Sequence, residues 1–586
     1  MSLDSAQYER SATPPMPGPM SQVMGRRWAV AAGHPLAAEA AARILRAGGN
    51  AVDAGAAAGF MLGVVHPDMV SFAGVAPLLV HLAASGETFE VSGVGPYPRR
   101  ATAEFFRAQC GGKIPPGVLR TVVPASPDAW CAALERWGTM SFSDVVAPAL
   151  ECAEHGFPLS IFSASMIRNN ADRYRRWPTS AALYLPGGEP RTPGALFVQS
   201  ELAQTIKTMV AAEVRSRSRG RAGAIRAARD AFYKGEIAQR IAEYHRREGG
   251  LLTAEDLAEF QVEIAPALRV TFREYEVAAC GFWCQGPALL QMLNLIEPFD
   301  FASMGANSPR ALHLLVEAMK LAFTDREAHY GDPRHVKVPA EALLSKGYAD
   351  LRRGLIREDR AWREMPPAGD PDRMAAVLNG ASTQPAAAAP AGSLDTSYVA
   401  VVDADGNGFS ATPSDPSTDS PVVPGVGCVV SPRGSQGWLE PGHPSEVAPG
   451  KRPRLTPAPA MAFRDGRLFM PFGTPGGDVQ QQAMLQAFLN IAAWGMAPQA
   501  AVEAPRVATR SFPDSFWPHA YFPGRLDVEQ RMPAETRAAL ARLGHEVSEW
   551  TDWDWRAGAV CAVVCGPDGV RLAAADPRRG AHAIGW

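Results

Sequence analysis

Thr396 stands directly behind a proline- and alanine-rich stretch and directly ahead of an alternating apolar run, Thr396-Ser-Tyr-Val-Ala-Val-Val-Asp403. If the Asp395-Thr396 bond is cut, the freed α-amine has a pKa of about 7.7 to 8.0, so at neutral pH part of it is unprotonated and can take the hydroxyl proton of the same residue. Nucleophile and base are then one residue. Before cleavage the hydroxyl would attack its own preceding carbonyl, shift the acyl group from N to O, and let water release the Asp395 end. A threonine at a strand start is also simply a good β-former, and the local sequence leaves both readings open.

An acyl-transferring threonine needs donors for the oxyanion. Gly476 and Gly477 sit where a strand-like run, Arg467 to Phe472, gives way to a helical one, so their amides could face a negative oxygen with the helix dipole behind them; a plain turn has the same composition. Other catalytic signatures are missing: no G-x-S-x-G elbow, no Walker loop, no H-E-x-x-H, and no G-x-G-x-x-G opening a helix.

The elements that must position these residues are of mixed α and β type. Pro35 to Val65 has a helical pattern broken at Gly48-Gly49-Asn50, and further helices are expected at Pro127 to Trp137, Phe142 to His155, Leu202 to Ala212, Ala254 to Phe260 and Arg310 to Ala328, with a strand-like run at Leu268 to Val277. Prolines and the run Ala386 to Ala389 mark 366–395 as a linker or mobile loop with no core of its own. A strand begins where it ends. Beyond it come a helix from about Val479 to Trp494 and a closing hairpin around Pro567-Asp568-Gly569.

The chain has 586 residues, enough for roughly two to four units of ordinary size or one large layered domain. A net charge of -3 gives no footprint for nucleic acid or an anionic membrane, and the basic run Arg215 to Arg229 reads as a solvated helix face or loop. No export signal and no apolar stretch long enough for a membrane span is visible, so a cytoplasmic location is expected. The close cysteine pairs Cys280/Cys284 and Cys561/Cys565 fit no common zinc spacing, so buried thiols, no metal and no cofactor are expected.

Ordered motifs over almost the entire chain resemble the γ-glutamyltranspeptidase family. They are His34-Pro35-Leu36-Ala37, Gly48-Gly-Asn-Ala-Val-Asp-Ala54, Val64-Val-His-Pro67, Leu312 to Pro333 with the core Glu317-Ala-x-Lys-Leu-Ala-Phe-x-Asp-Arg326, Thr396 to Asn407, Pro449-Gly-Lys-Arg-Pro453, Phe472 to Gly477 and Ala504-Pro-Arg506. The resemblance implies a four-layer αββα sandwich of the N-terminal-nucleophile hydrolases, an α/β (α+β) fold. It also implies one precursor split before Thr396 into a large segment, 1–395, and a small one, 396–586. These would stay together as a heterodimer, with a dimer of heterodimers as a further possibility. By position it makes Thr396 the nucleophile, Gly476 and Gly477 the oxyanion pair, Ser414 the hydroxyl beside the nucleophile, and Thr456 a substrate-side hydroxyl.

The departures concern the substrate. The family's carboxylate-binding arginine, in a motif of the R-E-x-A-P kind, has no counterpart in Val91-Ser-Gly-Val-Gly-Pro-Tyr-Pro-Arg-Arg100, where Arg99 and Arg100 come too late. Ser71-Phe-Ala-Gly-Val-Ala76 replaces a glycine run, the paired serines become Leu455 and Thr456, and the usual asparagine falls near Pro416. Losing such an arginine from a buried site typically costs several kcal/mol, so glutathione is not the expected substrate. Phe472 to Gln486 resembles the subgroup that includes oxamate amidohydrolase, and Arg433 is a candidate for binding an acidic acyl group. The expected activity is hydrolysis of a small amide through an acyl-enzyme. True γ-glutamyl hydrolysis or transfer, and a catalytically silent binding or structural protein, are the alternatives.

Overall fold

A computed structural model describes residues 18–377 and 396–586. Two seven-stranded antiparallel sheets face each other. One runs, in order, Val23–Gly25, Arg571–Ala575, Cys561–Cys565, Arg467–Gly473, Ala460–Arg464, Tyr275–Ala279, Leu268–Phe272. The other runs His582–Gly585, Ala29–Ala32, Val399–Val402, Gly408–Ala411, Leu78–Leu82, Glu87–Val91, Ile264–Pro266.

The period-two pattern of the strands explains the layers. Ala400 and Val402 point into the layer between the sheets together with Met461, Phe463 and Val563, while Val399 and Val401 point outward to the helices Pro35–Arg46 and Ala51–Val65. On the opposite sheet Ala460 and Ala462 point outward to the helices Gly286–Ile296, Pro309–His329 and Gln480–Ala492. Strands apolar on both faces therefore bury both, and the result is the expected αββα sandwich. Tyr398 ties the sheets together: its hydroxyl meets Ser410 Oγ at 2.5 Å, and Ser410 donates to the Ala460 carbonyl at 3.1 Å. Each sheet takes strands from both sides of position 396.

Most expected helices are present, with Phe142–His155 in the range read from sequence and the others shifted by a few residues. The run Leu268 to Val277 is a hairpin, not one strand; Arg273 turns the chain at φ 54°, a conformation the sequence does not advertise with a glycine. The linker expectation also needs correction in its first part. Pro366, Ala368, Gly369, Asp370 and Pro371 are buried, Gly369 N–H donates to Asp325 Oδ1 at 2.9 Å, and a Cβ at Gly369 would lie 2.0 Å from the Tyr348 hydroxyl. Residues 378–395, including Asp395, lie outside the described residues. Within the basic run, Arg229 is buried and paired with Asp128 at 2.8 Å instead of being solvated.

All eight cysteines are free. Among the described residues no helix is long and apolar enough to cross a membrane.

Candidate active site

Thr396 opens the polypeptide that becomes the third strand of its sheet, and its position is over-determined. Its N–H donates to the Met69 carbonyl at 3.2 Å, Ser397 N–H to the Pro413 carbonyl at 2.9 Å, and Gly33 N–H to the Tyr398 carbonyl at 2.9 Å. A Cβ at position 33 would lie 2.0 Å from Ser397 Oγ, so any larger residue there would have to displace that hydroxyl. Thr396 itself is fully buried with φ 107°, a region that a β-branched residue avoids at a cost on the order of 1–3 kcal/mol.

From the hydroxyl a polar network runs inward. Thr396 Oγ1 meets Ser414 Oγ at 2.6 Å, and Arg433 Nη2 donates to the same Ser414 oxygen. Arg433 Nε pairs with Asp415 Oδ1 at 2.5 Å, and Arg433 Nη1 reaches Thr456 Oγ1 at 3.4 Å. Gln436 Nε2 donates to Thr456 Oγ1 at 3.0 Å, and the Phe516 ring lies 5.4 Å from the guanidinium. Burial raises the Asp415 pKa, with the Arg433 charge opposing it. Asp415 also takes φ 117°, so the carboxylate that holds Arg433 is itself held in a strained turn.

The glycine pair approaches from the other sheet. Gly476, at φ 133°, and Gly477, at φ 57°, lead a 3-10 turn into Gln480–Ala492, and both backbone conformations disfavour any side chain. Tyr398, two residues after Thr396, packs its ring against Gly473, where a Cβ would meet the ring at 2.2 Å. That contact sets the strand leading to Gly476 against the strand leading from Thr396. Gln285 Nε2 donates to the Thr456 carbonyl at 2.9 Å and to the Gly477 carbonyl at 3.0 Å, while Arg326 Nη1 donates to Gln285 Oε1 at 2.9 Å and also pairs with Asp478. Asp478 in turn accepts from Ser515 N–H and Oγ, both at 2.7 Å.

Thr396, Ser414, Arg433 and Thr456 thus form one connected group, with Gly477 joined through Gln285; Gly476 is its chain neighbour. Leu455 packs in the layer between the sheets, and Arg99 pairs with Glu259 at the surface. Sequence reading missed Asp415, Gln436, Gln285, Phe516 and the Met69 carbonyl. Only Asp415, beside Ser414, lay within a stretch already singled out.

A second polar group also escaped the sequence reading. His313, Glu317 and His545 bring potential ligand atoms within 4.8 Å of one another. Lys320 Nζ donates to Glu317 Oε1 at 2.8 Å, so a protein cation already serves that carboxylate, and the two rings are joined at 2.9 Å between His313 Nδ1 and His545 Nε2.

The γ-glutamyltranspeptidase family model matches residues 37–586. The acylase ACY 1 proenzyme of Pseudomonas sp. (strain SE83) is 34% identical over 566 residues, covering 94% of this chain and 92% of its own. The oxamate amidohydrolase proenzyme of Klebsiella pneumoniae subsp. pneumoniae is 28% identical over 564 residues, covering 94% and 97%. The solved cephalosporin acylase of Bacillus halodurans superposes with a TM-score of 0.84 at 29% identity over 98% of each chain.

Proposed function

The chain belongs to the γ-glutamyltranspeptidase family, and from that premise we propose an autoprocessing threonine amidohydrolase cut before Thr396 into segments 1–395 and 396–586. The observation that carries this reading is the placement of the Thr396 hydroxyl 2.6 Å from a serine that Arg433 polarises, at the start of a buried strand. In the precursor, Thr396 Oγ1 attacks the Asp395 carbonyl carbon, the C–N bond breaks as the C–O bond forms, and water then hydrolyses the ester. The products are the Asp395 carboxylate and a free Thr396 amine. Loss of the Asp395–Thr396 bond also removes the constraint that held φ at 107°.

In turnover the amine takes the Oγ1 proton as the oxygen attacks the substrate carbonyl. Ser414, polarised by Arg433, donates to Oγ1 as negative charge builds there. The amides of Gly476 and Gly477 take the carbonyl oxyanion, with Gln285, Arg326 and Asp478 fixing the turn that presents them. The amine passes its proton to the leaving nitrogen, and water releases the acyl group. Arg433 and Thr456 face the acyl side. Among the relatives, the acylase, the cephalosporin acylase and the oxamate amidohydrolase favour an amide with a non-glutamyl acyl group, while the glutathione hydrolase proenzyme of Bacillus subtilis, 30% identical, keeps γ-glutamyl amides as the alternative class.

The test is a hydrolysis panel of oxamate-like, glutaryl and γ-glutamyl amides, with and without an acceptor dipeptide. Release of amine from the first two classes supports the reading. Turnover confined to γ-glutamyl amides, accelerated by the dipeptide, would replace it with γ-glutamyl transfer.

A further inference from the structure

Asp68 follows the helix Ala51–Val65 by three residues and immediately precedes Met69, whose carbonyl receives the Thr396 N–H. Its side chain is buried, and neither carboxylate oxygen has a hydrogen-bond partner. The groups that act on it come from several elements. They are Ser163 of Ile161–Asn169, which comes close enough to favour the charged form, Tyr174 and Tyr184, and Arg579 of the turn Pro577–Arg579; none completes an ion pair or a well-formed hydrogen bond with it. Burial raises the Asp68 pKa to about 6, with Ser163 and Arg579 opposing the shift only partly. His66 cannot supply a charge, because burial and then Arg579 hold its pKa down to about 3.

An unpaired carboxylate in such a place is costly, and a native chain normally provides a cation or a set of donors. Cleavage manufactures one. When water adds across the Asp395–Thr396 bond, the carbonyl carbon keeps the water oxygen, and the Thr396 nitrogen leaves with its protons as an α-ammonium. That nitrogen already lies on the carbonyl of the residue after Asp68.

We propose that Asp68 is the positioning residue for the α-amine of Thr396, an acid without a partner in the precursor that acquires one when the chain is cut. It would hold the amine, together with the Met69 carbonyl, at the orientation from which it takes the hydroxyl proton. This rests on the nucleophile reading above.

The test uses the sign of one substitution in two forms of the full chain. In the uncleaved Thr396→Ala protein, Asp68→Asn removes a liability, and Tm at neutral pH should rise by about 1–3 °C. In the cleaved wild-type background the same substitution removes a paired charge, and Tm should fall. The acid limb of kcat/KM, which reports the amine, should move about one pH unit or more toward acid in Asp68→Asn and return in Asp68→Glu. Equal signs in the two forms, or an unmoved limb, overturn the assignment. If the Asn variant folds but stays uncleaved, Asp68→Glu must mature with the wild-type limb, and its failure also overturns it. A wild-type chain with no N-terminus at Thr396 sinks the nucleophile reading itself, which a gel and N-terminal sequencing show independently of any melting temperature.

Discussion

On the hydroxyl side of Thr396, Ser414, Arg433, Asp415, Thr456 and Gln436 form a continuous network in which the charges are matched before any substrate arrives. On the nitrogen side, among the described residues, the Met69 carbonyl receives the Thr396 N–H, and the residue before Met69 is a buried acid with neither oxygen in a well-formed hydrogen bond. The difference follows the chemistry. On the proposed mechanism the hydroxyl exists in the precursor and must be aimed from the start, whereas the amine exists only after cleavage, so its surroundings would be completed by the reaction.

The sharpest way to break this comparison is to remove the atom on which both sides converge. Thr396→Ala should abolish cleavage, leaving one band on a denaturing gel, and reduce turnover by about a thousandfold or more. Wild-type turnover in that variant would end the mechanism. Next in size is the hydroxyl side. Arg433→Ala strands the Asp415 carboxylate in a fully buried site and should cost about 3–5 kcal/mol in denaturant unfolding, while a companion Asp415→Asn recovers a substantial part of that loss.

Gly476→Ala tests the proposed oxyanion role of the Gly476 and Gly477 amides. At φ 133° a side chain strains the turn, and kcat should fall about 10- to 1000-fold with a smaller change in KM, measured on matured protein. The smallest effect lies in the pH dependence on the nitrogen side. A carboxyl whose folded-state pKa is about 6, against 3.8 ordinarily, keeps its proton in the native chain at pH values where the unfolded chain has lost it. The native state therefore binds more protons between about pH 4 and 6, and that stabilisation is lost as pH rises through the window. In the Thr396→Ala background, the Tm gain from Asp68→Asn should be slight at pH 4 and grow toward pH 7; a gain independent of pH would show that the charge of Asp68 is not its cause.

Much of this was legible in the sequence where the physics is local. Alternation in 396–403 announced a strand, the turn Pro567-Asp568-Gly569 announced the closing hairpin, the stop at Gly48-Gly49-Asn50 announced two helices, and Asn50 with Asp53 forms a reciprocal capping box. The family motifs singled out Thr396 and the glycine pair as candidates, but said nothing of how they are held. Arg326, prominent in the motif ending there, turns out to brace Gln285 and Asp478 under the glycine turn. Arg506 likewise pairs with Asp576 far along the chain.

What stayed hidden depends on long-range approach. Asp415 is unremarkable until Arg433 folds against it, Asp68 is a turn residue until its oxygens are seen without partners, and Arg273 turns a hairpin in a conformation usually given to glycine. The first residues of the proline-rich segment looked dispensable because prolines suggest a linker. Their burial against Tyr348 and Asp325 is a tertiary fact.

The interleaving of both segments in both sheets has a consequence for the life of the molecule. Val399–Val402, the strand that Thr396 leads into, lies between Ala29–Ala32 from before the proposed cut and Gly408–Ala411 from after it. While uncut, any refolding of the chain is unimolecular, at a rate indifferent to concentration. Once cut, the same architecture can be regained after unfolding only by a second-order encounter of two pieces, neither of which holds a complete sheet. The proposed cleavage would thus make persistence depend on how slowly the molecule opens, and dilution after denaturation should restore the Thr396→Ala chain far better than the cleaved protein.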